Sequence, residues 1–249
     1  MQSFSLYNNT LYSSGLRLNA AKCKVVSFGA SNQKREYTVN NIKLENVDCI
    51  KDLGVYVSSP ISFCHHIENI VNKANKTLGA ILRSFISRDI EVIMPIYKSY
   101  VRSTLEFNSI VWSPYRRYLV DQIENVQRRF TRCFPHLHYF CYKDRLSKLS
   151  LLSLSARRLR YQLIFLYKLL NGMMSLNPGL FFEFSTNYRS RRCIQKIIPP
   201  RVTRDYRRFF FTSDIVFHWN QLTDAEVQAP NVYSFKKSVE QYFKRTDIW

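Results

Sequence analysis

Glycine is the first shortage. Six glycines in 249 residues are too few for an all-β protein with many tight turns or for glycine-rich phosphate loops. No apolar run approaches the ~20 residues a membrane-spanning helix requires. The opening MQSFSLYNNTLYSSG has no basic segment followed by an apolar stretch, so it does not read as a secretory signal. Without one, the scattered Cys23, Cys49, Cys64, Cys133, Cys141 and Cys193, with no C-x-x-C pair, read as reduced core residues. An intracellular protein of nucleus or cytoplasm, without a membrane, is expected. Acidic residues are also short, 18 against 37 basic ones. The aspartates never occur as neighbours, whereas two-metal phosphoryl chemistry needs clustered carboxylates. The patterns G-x-x-x-x-G-K-[ST], G-x-S-x-G and H-E-x-x-H are absent. Cys133, His136, His138 and Cys141 of CFPHLHYFC have zinc-ligand chemistry, but their spacing is too tight for a finger. His65, His66 and His218 read as capping or structural. The expectation is no catalytic centre, no metal and no cofactor.

What is abundant is core material and positive charge. Hydrophobic residues make up 46% of the chain and aromatics 15%, enough for a packed core. The net charge is +19, and Arg116–Arg208 alone carries 20 basic and 5 acidic residues. A field this one-sided costs stability through self-repulsion and points to a polyanionic partner, nucleic acid before an acidic membrane surface. The bland alternative is a solvated arginine-rich face.

Periodicity divides the chain. KCKVVSFG, EYTVNNIKL and CIKDLGVYV read as three short strands of a small antiparallel sheet, with Gly54 allowing a bend. From Pro60 the spacing becomes helical. Ile67, Ile70, Val71, Ala74, Leu78, Ile81, Leu82 and Phe85 make one apolar stripe. Asp89 caps a second helix with Ile93, Tyr97, Tyr100, Val101 and Leu105 inward and Pro95 in its first turn or at a kink. A third carries Leu119, Ile123, Val126 and Phe130, with Arg128, Arg129 and Arg132 off the stripe. A long helix with Leu159, Leu163, Leu166 and Leu170 inward stops at Gly172. Its Arg157, Arg158 and Arg160 lie in the first turns, unfavourably for the helix dipole, which suggests that they serve a partner. NYRSRRCIQKIIPPRVTRDYRRFFF reads as extended or loop. Two closing helices bury Ile215, Val216 and Trp219, then Phe235, Val239, Tyr242 and Phe243.

Six segments in order, GLRLNAAKCKVVSFG, IKDLGVYVSSPISFCHHIENIVNKA, IYKSYVRSTLEFNSIVWSPY, IENVQRRFTR, RLSKLSLLSLSARRLRYQLIFLYKLLNG and RRFFFTSDIVFHWNQL with SFKKSVEQYF, closely resemble the reverse transcriptase of non-LTR (LINE, jockey-like) retrotransposons. In that family L-x-L-N-x-x-K-[CT], here Leu16, Leu18, Asn19, Lys22 and Cys23, lies on the palm strand after the catalytic Tyr-X-Asp-Asp hairpin. K-D-L-G-V, here Lys51–Val55, is the primer-grip strand pair. Ser103 and Phe107 depart from the family's usual proline and tyrosine. The resemblance implies that the fingers and the metal-binding palm aspartates would lie before residue 1, since 14 residues before Gly15 are too few to hold them. Mg²⁺ would then belong only to the intact parent enzyme, and this chain would not polymerise alone.

The expected fold is therefore α+β, mainly α. Residues 1–58 would be a palm remnant with the small antiparallel sheet, 59–113 a helical thumb and 114–249 a basic helical connector. The expected function is that of a truncated RNA-directed DNA polymerase fragment that binds RNA, DNA or an RNA–DNA hybrid electrostatically. Lys22, Lys24 and Lys51 would face phosphates in the remnant, and Arg128, Arg129, Arg132, Arg157, Arg158 and Arg160 would grip backbone. The missing fingers–palm portion is a possible partner. The alternative is a domesticated or non-functional protein-interaction module with no nucleic-acid role.

Overall fold

The computed structural model describes residues 19–29, 32, 33, 35–39, 41–184, 196–203 and 205–249. They fall into two compact units, Met1–His66 and Ile67–Trp249. The class is α+β and mainly α. Leu16 and Leu18 of the palm-strand pattern, Cys193 and most of NYRSRRCIQK lie outside the described residues.

The first unit holds short ladders. Strand β1 (Lys24–Val25) runs parallel to β4 (Glu45–Asn46), while β2 (Thr38–Val39) pairs antiparallel with β3 (Ile42–Lys43) and β5 (Cys49–Asp52) with β6 (Val55–Ser58). Among the described residues, three two-stranded ladders thus replace the single antiparallel sheet that was expected. Turn geometry is the reason. Asn41, at φ +62°, helps reverse the chain inside EYTVNNIKL, so that this segment is a hairpin and not one strand. Leu53 and Gly54, at φ +44° and +90°, are two consecutive left-handed residues, the backbone of a two-residue primed hairpin turn. Val39, Leu44, Val55 and His66 are buried. The Tyr56 N–H donates to His66 Nδ1 at 3.4 Å, and burial holds that imidazole below its usual pKa.

Helix α1 (Cys64–Ser84) carries its stripe into the second unit, with Ile67, Ala74, Leu78 and Ile81 buried and Phe85 exposed beyond its end. Asp89 caps α2 (Ile90–Ile96), accepting from the Glu91 N–H at 2.9 Å. Pro95 sits inside that helix, lacks an N–H and crowds the carbonyl four residues back. Immediately after it the backbone widens into a π-helical turn, Tyr97–Arg102, before α3 (Ser103–Glu106) and α4 (Ser109–Trp112). Ile93, Tyr97, Val101 and Leu105 are fully buried, but Tyr100, expected to point inward, is 66% exposed. In the wider turn each residue advances through a smaller angle, which carries position i+3 off the face of residue i.

Helix α5 (Arg117–Thr131) buries Leu119, Ile123, Val126 and Phe130 as its spacing predicts. The Tyr97 ring stacks on Phe130 with centroids 3.7 Å apart. After α6 (Tyr142–Lys148), the long α7 (Leu154–Leu170) is the hub. It packs against α4, α5, α9 (Phe211–Trp219) and α11 (Val232–Arg245). Apolar contact on several sides buries Leu154, Ala156, Leu163, Leu166 and Leu169, well beyond one stripe, and leaves Leu159 and Leu170 only partly buried. The two closing helices bury the residues expected of them, and the Tyr167 ring stacks on Phe235 at 4.2 Å. Replacing a fully buried aromatic such as Trp219 by alanine costs about 3–5 kcal/mol. Strand β7 (Glu183–Phe184) pairs antiparallel with β8 (Ile197–Ile198), so IIPP opens in a strand. The remaining short helices are α8 (Asp205–Arg208) and α10 (Asp224–Val227), the latter closed by a Thr223–Glu226 capping box. Helix α7 stops at Gly172, φ +66°, whose N–H reaches the Leu169 carbonyl while the Met173 N–H reaches Lys168. That is a Schellman ending, and the left-handed position explains the glycine.

Candidate nucleic-acid interface

The π-helical turn sets Lys98 and Arg102 against the N-terminal half of α7, and a two-lobed cleft opens there within the second unit. One lobe, of about 670 Å³, is lined by Lys98, Arg102, Glu106, Phe107, Arg157, Tyr161, Phe165, Lys168, Met173 and their neighbours. The other, of about 630 Å³, is lined by Lys98, Arg102, Ser147, Ser150, Arg157, Arg160, Glu240, Lys244 and apolar residues around them, Leu152 and Phe243 among them. Lys98, Arg102 and Arg157 belong to both lobes. Six cations therefore face two carboxylates, Glu106 and Glu240.

Pairing inside the cleft is uneven. Arg157 holds Glu106 through two guanidinium nitrogens, with Nη2 3.0 Å from Oε2, and its Nη2 also donates to the Tyr161 hydroxyl at 2.8 Å. Burial works against the Arg157 charge, but the bonded carboxylate outweighs it and raises the pKa. Arg102 is less well served. Its Nε lies 3.8 Å from Glu106 Oε2, beyond hydrogen-bond reach, and donates to no acceptor although it is buried. Burial, then the neighbouring Arg157 charge, lower its pKa. Arg160 Nη2 meets Glu240 Oε1 at 2.9 Å, while its buried Nε is likewise unpartnered. One carboxylate is thus shared between two guanidinium groups, and a buried donor with no acceptor costs about 1–3 kcal/mol.

The expected phosphate-gripping residues are divided by the structure. Arg157 and Arg160 line the cleft. Arg158 is 3% exposed, and burial pulls its guanidinium down to about 10. It lies inside the unit, which corrects its placement on an accessible face. Arg157 and Arg160 also have carboxylates of their own, Glu106 and Glu240. Glu124 of α5 accepts the Leu154 N–H at the helix start, with oxygens at 3.0 and 3.1 Å, and it accepts the Tyr142 hydroxyl. A carboxylate at that end offsets the dipole from outside the helix. Arg128 is engaged by Asp121 at 3.3 Å and Asn125 at 2.9 Å, with its guanidinium over the Tyr142 ring. Arg129 and Arg132 are exposed.

In the first unit, Lys22 ends a short helical turn, Ala20–Lys22, and is exposed, so it does not alternate with Lys24 along one strand as expected. Lys24, on β1, pairs with Glu45 at 3.0 Å. Lys51 is exposed, with its ammonium 5.4 Å from the Tyr56 ring centroid. Lys98, Arg102, Lys168 and Lys244 were not among the expected site residues. For α7 a signal existed. Arg157, Tyr161, Ile164 and Lys168 follow i, i+4, i+7, i+11 spacing and mark one polar-edged face.

Among the described residues no group of three His, Cys, Asp or Glu side chains is placed to hold a metal ion, and no helix is long and apolar enough to cross a membrane. Cys141 instead caps α6, its Sγ donating to Asp144 Oδ2 at 3.0 Å. No protein-family model matches the chain, and no solved structure does. An uncharacterized protein of Caenorhabditis elegans is 25% identical over 128 residues, 49% of this chain and 64% of that protein. The chain thus spans just under two thirds of the length of this relative.

Proposed function

We propose that this chain derives from a non-LTR retrotransposon reverse transcriptase and that it binds RNA or a template–primer electrostatically. The descent rests on the ordered motifs from Leu16 to Phe243. The binding rests on one observation above the rest: six cations line a cleft that holds two carboxylates. Phosphate oxygens are the acceptors that guanidinium and ammonium groups lining a cleft fit. The partners of the chain are then nucleic acids of either sugar. A filter-binding titration against an RNA–DNA hybrid with a recessed primer tests the reading. The affinity falls steeply as salt rises, because phosphate contacts release counterions. Affinity that ignores salt, or no binding, refutes it.

A further inference from the structure

The two lobes of the cleft share Lys98, Arg102 and Arg157 but differ in the rest of their lining. The lobe reaching Ser147, Ser150, Arg160 and Lys244 sets hydroxyls and charge beside mainly aliphatic side chains. The other is bordered by two phenylalanines and two methionines. Phe107 is 57% exposed and Met173 50% exposed at its wall, and Phe165 lies in its lining, braced edge-on against Phe211 at 5.4 Å. Exposed as it is, Phe107 is not loosely held. Its carbonyl accepts the indole N–H of the fully buried Trp112 at 2.8 Å, and Asn108, at φ +54°, turns the chain just after it. An aromatic ring on a fixed backbone beside Lys98, Arg102 and Lys168 offers a π-face and phosphate donors within one cavity of about 670 Å³.

We infer that this lobe takes an unpaired nucleobase, stacked on Phe107, while its flanking phosphates lie on Lys98 and Arg102 and the strand continues into the second lobe. The ligand class is single-stranded nucleic acid. A base pair in a duplex keeps its faces stacked on neighbouring pairs and presents only backbone to a pocket of this kind, whereas an unpaired base has a free face, and such stacking tolerates any base. This rests on the nucleic-acid reading above and narrows it to strandedness and position.

The test is fluorescence anisotropy on the full chain with three labelled ligands: an oligouridylate of about ten nucleotides, the same strand without bases, and an RNA–DNA hybrid of equal length. Removing the bases weakens binding to the native protein about tenfold or more. Phe107→Ala produces a similar loss for the oligouridylate and none for the baseless strand, and circular dichroism checks its fold. If the strand with bases and the strand without bind equally well, the stacked base is refuted while electrostatic binding stands. The same follows if Phe107→Ala weakens both strands alike. If none of the three ligands binds, the nucleic-acid reading falls with it.

Discussion

Glu106 is the residue on which fold and cleft pull in opposite directions. Its carboxylate is 9% exposed, accepts from Arg157 and from the Tyr161 hydroxyl at 3.1 Å, and is the nearest anion to Arg102. At 3.0 Å and an effective dielectric of about 20, its gross attraction to one guanidinium is about 5 kcal/mol. Changing it to glutamine keeps the shape and removes the charge. Two half-buried guanidinium groups then face each other without an anion, and breaking a buried pair from one side costs about 3–5 kcal/mol. For a unit of this size that lowers the melting temperature by roughly 10 °C. The cleft meanwhile gains one unit of positive charge and frees Arg157, so nucleic acid binds Glu106→Gln more tightly than it binds the native chain. Thermal melts followed by circular dichroism and a binding titration at two salt concentrations read both effects. Pairing Glu106→Gln with Arg157→Met restores most of the lost stability, since the unpaired charge goes with its partner. A melting temperature within about 2 °C of native, or weaker binding by the folded variant, refutes the account of the cleft.

Two further predictions concern the frame around it. Gln127 is fully buried, accepts the Tyr97 hydroxyl at 2.8 Å and donates to the Tyr142 hydroxyl and the Leu152 carbonyl, both at 3.0 Å. Gln127→Leu strands these groups and lowers stability by about 3 kcal/mol, measured by urea unfolding. Adding Tyr97→Phe recovers part of it. Burial holds His218 below its ordinary pKa, with Nδ1 3.0 Å from the Tyr242 hydroxyl. The unfolded chain therefore binds the proton more readily, and stability falls as pH drops below 6.5. His66, buried in the first unit, adds a contribution of the same sign. Melts at pH 7.5 and 5 show a smaller difference in His218→Gln than in the native chain.

Much of the helical part was legible because burial follows periodicity. Leu119, Ile123, Val126 and Phe130 lie where spacing puts them, as do Ile215, Val216 and Trp219. Tyr100 does not, because the π-helical turn after Pro95 changes the angular step and no stripe announces such a change. The pattern of CIKDLGVYV reads as one short strand with a bend at Gly54, whereas the structure makes it the strand pair that the resemblance implies for Lys51–Val55. The hairpin also needs Leu53 left-handed, which its side chain does not advertise. The carboxylates that pair with Arg157 and Arg160 are far off in the chain. Glu106 lies 51 residues before Arg157, and Glu240 lies 80 after Arg160. Charge pairing across such distances has no local signature. The cleft was hidden for the same reason, since Lys98 and Lys168 meet only through packing.

The glycine that ends α7 has an effect beyond closing a helix. Because the helix stops at Leu170 and the chain turns left-handed at Gly172, Met173 and Met174 leave the cylinder and border the aromatic lobe. Had the helix run one turn further, the same residues would have wound around its axis, and the lobe would lose that rim. The depth available to a ligand is thus written in the punctuation of a helix, and Gly172→Ala, which strains a turn with open space around it, would alter the shape of a cavity that the substituted residue does not line.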